Sequence, residues 1–124
     1  MRVRSAEDLI VWRHAMELVG SVYEIAARLP SCERQGLAEQ MRRAATSIPA
    51  NIAEGHARGH GKDFLRFLLI ARGSLAEVRT HLAITTRVGY TTRAELERSL
   101  SLADETSRML TAMLRSLQPP PPDR

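Results

Sequence analysis

Four stretches of this chain repeat apolar residues at spacings of three and four, each for roughly 22–27 residues, the signature of an α-helix with a buried face. A half-buried strand would need strict alternation, and no segment shows it. The first stretch runs from about Ala6 to Arg28, with Leu9, Trp12, Met16, Val19, Tyr23 and Ala26 in one stripe and Val11, Leu18, Val22, Ile25 and Leu29 beside it. Ser5 and Asp8 have capping-box spacing, and Leu29-Pro30 closes the segment. The second runs from about Glu33 to Glu54 with Leu37, Met41, Ala44, Ile48 and Ile52 as its stripe. Pro49 lies inside it and predicts a kink near Ala45.

Residues 55–61 hold three glycines and read as a loop. The third helix is expected from about Lys62 to Val88, with Phe64, Phe67 or Leu68, Ala71, Leu75, Val78 and Leu82 inward. Gly73-Ser74 in its middle predicts a close backbone approach. Thr92 and Glu95 form a capping box for a fourth helix over 93–117, striped by Leu96, Leu100, Ala103, Leu110, Leu114 and Leu117, with Leu102, Thr106, Met109 and Met113 alongside. The expected domain is 1–118, a single all-α, antiparallel, up-down-up-down four-helix bundle, and 119–124 is a Pro-rich tail. Paired stripes on the first and fourth helices predict an apolar outer face covered by another subunit, hence a homo-oligomer.

Aromatic residues are scarce, which leaves Leu, Ile, Val, Ala and Met to build the core and suits helices. A single cysteine, Cys32, cannot form an internal disulfide, and the longest strongly apolar run, Phe67 to Ala71, is too short to span a membrane. A cytoplasmic protein without membrane contact is the expectation. The net charge is +4, and its distribution is informative. Residues 34–72 hold seven cations (Arg34, Arg42, Arg43, Arg58, Lys62, Arg66 and Arg72) against three anions (Glu39, Glu54 and Asp63), while the rest of the chain sums to zero. Arginine favours bidentate pairing with phosphate or carboxylate.

No constellation for catalysis is complete. His56 and His60 are four apart but lie among glycines without a carboxylate or cysteine at ligand spacing, so no metal and no cofactor is expected. His14 and His81 read as surface or interface residues, and Cys32 as a residue near a helix start. Ser47 and Ser74 lack a nucleophile turn, and the glycines before Lys62 follow no strand. A polar stripe on the second helix comprises Gln40, Arg43, Ser47, Asn51 and Glu54, with Ser74 and Glu77 placed to face it from the third. Its structural reading is an inward network fixing helix register; its chemical reading pairs Glu54 with Glu77 as catalytic carboxylates, and the structural reading is preferred.

Three segments resemble a known family: Asp8-Leu9-x-Val11-Trp12-x-x-Ala15, then Gly36-Leu37-x-x-Gln40-x-Arg42-Arg43-Ala44-x-x-Ser47-Ile48-Pro49-x-Asn51-Ile52-Ala53-Glu54-Gly55, then Phe64-x-Arg66-Phe67-Leu68-x-Ile70-Ala71-x-Gly73-Ser74-Leu75-x-Glu77. They are similar to the four-helix bundle proteins encoded in intervening sequences of bacterial large-subunit ribosomal RNA genes, and to the related accessory variability determinant of diversity-generating retroelements. The resemblance spans about residues 8–117. It implies an antiparallel bundle assembled as a homopentamer and, for the retroelement branch, a basic surface that binds nucleic acid and a reverse transcriptase. His56 stands where the family usually has an aromatic, and the following loop is less lysine-rich.

The resulting expectation is a non-enzymatic oligomeric accessory protein that binds RNA or DNA through phosphate contacts. Its candidate contacts are Arg42, Arg43, Arg58, Lys62, Arg66 and Arg72. The alternative is a protein-interaction scaffold with no nucleic-acid role.

Overall fold

In the computed structural model, which describes residues 9–59 and 61–117, the four apolar stripes become four helices: α1 (Ile10–Arg28), α2 (Leu37–Ala57), α3 (Lys62–Arg87) and α4 (Arg93–Leu117). No strand occurs among the described residues. The Ser5–Asp8 box, His60 and the 119–124 tail lie outside the described residues. Each helix packs on two neighbours, through the pairs α1–α2, α2–α3, α3–α4 and α1–α4, so the apolar stripes meet along one central axis. Cross-helix pairs fix the directions. His14 faces Glu105 and Arg28 faces Glu95, so α1 and α4 run antiparallel; Gly55 packs on Phe64 and Phe67 while Ser47 meets Ser74, so α2 and α3 do too.

The core is aliphatic, as the composition requires. Leu18, Met41, Ile48, Ile52, Leu68, Leu75, Leu82 and Leu110 are among the fully buried side chains. Pro49 is buried within α2, and the helix continues through it, so the missing amide removes one donor without ending the helix.

Two expectations about glycine exchange places. Gly55 was expected to open the loop but is buried inside α2, where an added Cβ would sit 2.9 Å from Phe67 Cβ and 3.0 Å from Phe64 Cδ1. The close approach belongs here. Gly73, expected to mark one, is exposed with nothing within 4 Å of a Cβ position. The turn after α2 is instead made by Gly59 and Gly61, whose φ values of 100° and 87° are open to glycine at little cost.

The opposite end of the bundle is held by polar groups. A 3-10 turn, Ser31–Glu33, precedes α2, and Glu33 Oε1 accepts the Leu37 amide at 3.1 Å. Glu33 Oε2 accepts the Tyr90 hydroxyl at 2.9 Å, tying the α1–α2 connection to the α3–α4 connection. Gly36 makes room for this carboxylate, since a Cβ there would lie 2.9 Å from Glu33 Oε1. The predicted capping box forms at α4. Glu95 Oε1 accepts the Thr92 amide at 2.9 Å, and Thr92 Oγ1 accepts the Glu95 amide at 3.3 Å.

The expected apolar outer face is redistributed. Among the described residues the large exposed apolar side chains are Ile10, Met16 and Tyr23 on α1, Leu69, Ile70 and Ile84 on α3, and Val88 just beyond it; α4 contributes none. The second stripe of α4 is absorbed inside, with Leu102 and Thr106 buried and Met109 and Met113 packed against the core. His81, expected as a surface or interface residue, is buried within the bundle, and its Nδ1 has no hydrogen-bond partner among the described residues.

Candidate nucleic-acid interface

The polar stripe of α2 is narrower than its spacing suggests and lies along the outer α2–α3 seam. Asn51 Nδ2 donates to the Ser47 carbonyl at 2.8 Å and to Ser47 Oγ at 2.9 Å, and the Ser47 and Ser74 hydroxyls share a 2.8 Å bond. These three residues form the network. Its other predicted members point elsewhere. Arg43 pairs with Glu39 at 2.9 Å, Glu54 pairs with Arg58 at 3.1 Å, and Gln40 and Glu77 are exposed. Both salt bridges are i,i+4 pairs on a solvated face, which local helix geometry favours over reaching across to α3. Glu54 lies beyond Ser47 toward the α2–α3 turn, whereas Glu77 lies beyond Ser74 in the opposite direction. The two carboxylates are therefore offset by roughly 15 Å along the helix axes and do not form a pair.

The six candidate cations do not form one patch. Arg42 and Arg58 are roughly 24 Å apart along α2, at 1.5 Å per residue. Near the α2–α3 turn, Arg58 and Arg66 place their guanidinium carbons 5.3 and 4.9 Å from the Phe67 ring centroid, and Lys62 is exposed at the start of α3. The aromatic face partly satisfies both guanidiniums and holds them near the turn. His56 meets Phe64 edge-on, with ring centroids 6.3 Å apart. Arg72 is exposed further along α3 and pairs with no acid among the described residues.

Near the other end of α2, Arg42 and Arg43 join Arg34 from the α1–α2 connection. Arg42 is half-buried and its Nη2 donates to the Arg34 carbonyl at 3.3 Å. Together with Tyr23, Gln35, Glu39 and Thr46 these residues line an open cavity of about 620 Å³. A smaller recess of about 160 Å³ with mixed lining adjoins it, sharing Arg34 and Arg42 and walled by Ala26, Leu29, Pro30, Ser31 and Ala38. Tyr23 belongs to one of the two apolar stripes read on α1, and it is 43% exposed. The sequence holds a signal for this: Gly20 and Ala27, three before and four after Tyr23, lie on the same helix face and are too small to cover the ring. Arg34 could be seen only as a charge, because its place beside Arg42 depends on how the connection folds back.

Among the described residues no group of three His, Cys, Asp or Glu could hold a metal ion, and no helix is long and apolar enough to cross a membrane.

Comparison with known proteins agrees with this architecture. A crystal structure from Bacteroides thetaiotaomicron VPI-5482, described as a protein with unknown function from the S23 ribosomal protein family, superposes with a TM-score of 0.78 at 25% sequence identity. The match covers 86% of this chain and 96% of that one. No curated protein matches the chain. The family model for the 23S rRNA-intervening sequence protein matches residues 7–112, which include the bundle up to the last turn of α4, and the chain belongs to that family.

Proposed function

We propose that this protein is a non-enzymatic, homo-oligomeric accessory protein that binds RNA or DNA through phosphate contacts. The observation that carries the reading is the placement of charge. The whole net charge of +4 falls in residues 34–72, on α2, α3 and their flanking connections. Several of those cations, Arg34, Lys62 and Arg72 among them, are exposed and form no salt bridge among the described residues. The family's description refers to an intervening sequence of 23S rRNA, which makes RNA the first nucleic acid to test. Arg42, Arg43, Arg58, Lys62, Arg66 and Arg72 are the proposed phosphate contacts, with Arg34 added. Binding of this kind releases counterions, so log K falls linearly with log salt concentration. A salt titration of wild-type binding to RNA and to DNA checks this; no complex with either at low salt refutes it.

Self-assembly is part of the reading, with a pentamer proposed from the family resemblance. Exposed Ile10, Met16, Leu69, Ile70, Ile84 and Val88 support an apolar subunit contact through α1 and α3. Light scattering on the purified chain measures the subunit number, and a monomer contradicts it.

The same exposed apolar side chains favour a second reading, a protein-interaction scaffold with no nucleic-acid role. Capture of one protein partner that survives nuclease treatment and charge reversal at Arg58 and Lys62 distinguishes it.

A further inference from the structure

We infer that the groove between α1 and α2 is a single-strand site, in which the Tyr23 ring stacks on a base while Arg34, Arg42 and Arg43 hold the flanking phosphates. The inference rests on the nucleic-acid reading above and names its substrate class. Single-strand sites without sequence preference combine a cationic groove that follows the backbone with an aromatic face on which a base stacks. A duplex keeps its bases stacked on one another and offers such a ring nothing.

Both parts are present in the groove. Tyr23 is 43% exposed and lies on the wall of the cavity of about 620 Å³. Three guanidiniums surround that cavity against one carboxylate, Glu39. Two of the three are positioned before any ligand arrives. Arg42 is tethered to the Arg34 carbonyl, and Arg43 is held by Glu39 at 2.9 Å. A carbonyl accepts one N–H and leaves the other guanidinium donors of Arg42 free, and a planar guanidinium can still take a phosphate bidentately. Gln35 and Thr46 add uncharged hydrogen-bonding groups to the lining, and the smaller recess beyond Arg42 adds walls of mixed polarity.

The turn between α2 and α3 is a different kind of surface. Its aromatic ring, Phe67, is already occupied by Arg58 and Arg66, and Phe64 is buried. Among the described residues there it has cations to offer, but neither phenylalanine ring is free. Contacts there add phosphate affinity to a strand and a duplex alike.

The test measures fluorescence anisotropy at low salt with a labelled polyuridine or polythymidine strand and with a duplex of equal length. Because Tyr23 is exposed, Tyr23→Leu preserves the fold, which circular dichroism checks. Wild type is expected to favour the strand. Tyr23→Leu lowers strand affinity about tenfold, leaves duplex affinity unchanged, and Tyr23→Trp restores it. Arg34→Ala with Arg42→Ala also weakens strand binding, whereas Arg58→Ala with Lys62→Ala weakens both forms in the same proportion. If Tyr23→Leu and Tyr23→Trp both bind the strand as wild type does, the groove inference fails and the nucleic-acid reading stands. If wild type binds neither form, both fail.

Discussion

The two ends of this bundle are built on opposite principles. At the α2–α3 turn the helices are brought together by close packing, with Gly55 against the Phe64 and Phe67 rings and Arg58 and Arg66 laid over Phe67. At the other end the connections are joined by hydrogen bonds to carboxylates. Glu33 accepts from Leu37 and Tyr90, and Glu95 accepts from Thr92. At this polar end two groups, Tyr90 and Glu95, have shifted protonation. The difference teaches where each end yields. The packed end yields to added volume and the polar end to the loss of a hydrogen bond, and the polar end leaves a cavity and an aromatic ring open beside its arginines.

The largest expected effect breaks the packed end. Gly55→Ala adds a Cβ that crowds Phe67 Cβ and the Phe64 ring, and is expected to destabilise the fold by about 1–3 kcal/mol in chemical denaturation. The sign is diagnostic, because in an unobstructed helix the same change stabilises by up to about 1 kcal/mol. A neutral or stabilising result would mean that the helices do not approach here.

At the polar end, Glu33→Ala removes an acceptor from the first turn of α2 and leaves the Tyr90 hydroxyl without its partner. A loss of about 1–2 kcal/mol is expected, with faster amide exchange at Leu37 and in the α3–α4 connection together. Exchange that rises only at Leu37 would show that the two connections are not coupled. Thr92→Ala opens the capping box for about 1 kcal/mol.

The pH effects are smaller and have opposite signs. The hydrogen bonds from Thr92, with Arg28 nearby, hold the Glu95 carboxyl below its ordinary value of 4.5. Its contribution is therefore present above that value and lost as pH falls through the lowered one. Donation to Glu33 pushes the Tyr90 phenol up to about 12, with desolvation and the Glu33 charge adding to it. That contribution is complete below the ordinary value of 10.0 and lost as pH rises toward 12. Tyr90→Phe should flatten the alkaline limb of the stability profile and leave the acid limb unchanged; an unchanged alkaline limb would show that the bond to Glu33 carries no linkage.

Much of this was legible in the sequence, for reasons that differ by residue. The helices and the Thr92–Glu95 box are local patterns, and the structure reproduces them, the fourth helix at its expected bounds and the third within a residue. What was hidden depends on neighbours distant in the chain. A glycine-rich window reads as a loop, yet Gly55 is helical because α3 presses on it. Polar residues at helical spacing read as one network, yet only Asn51, Ser47 and Ser74 meet, because Glu39 and Glu54 find arginines on their own helix first. A charge count over residues 34–72 gives one basic region, whereas the length of α2 divides it in two. Two stripes could be read on α1, but which of them is covered could not, because a stripe records which face a residue shares and not what lies over it.

The most direct test of the division between the two ends is photochemical crosslinking of a uridine or thymidine strand to wild-type protein, with the adducts located by mass spectrometry. The account predicts adducts at Tyr23 and along the stretch from Arg34 to Thr46 that lines the same groove. Adducts confined to the α2–α3 turn, at His56, Phe64 or Phe67, would contradict it.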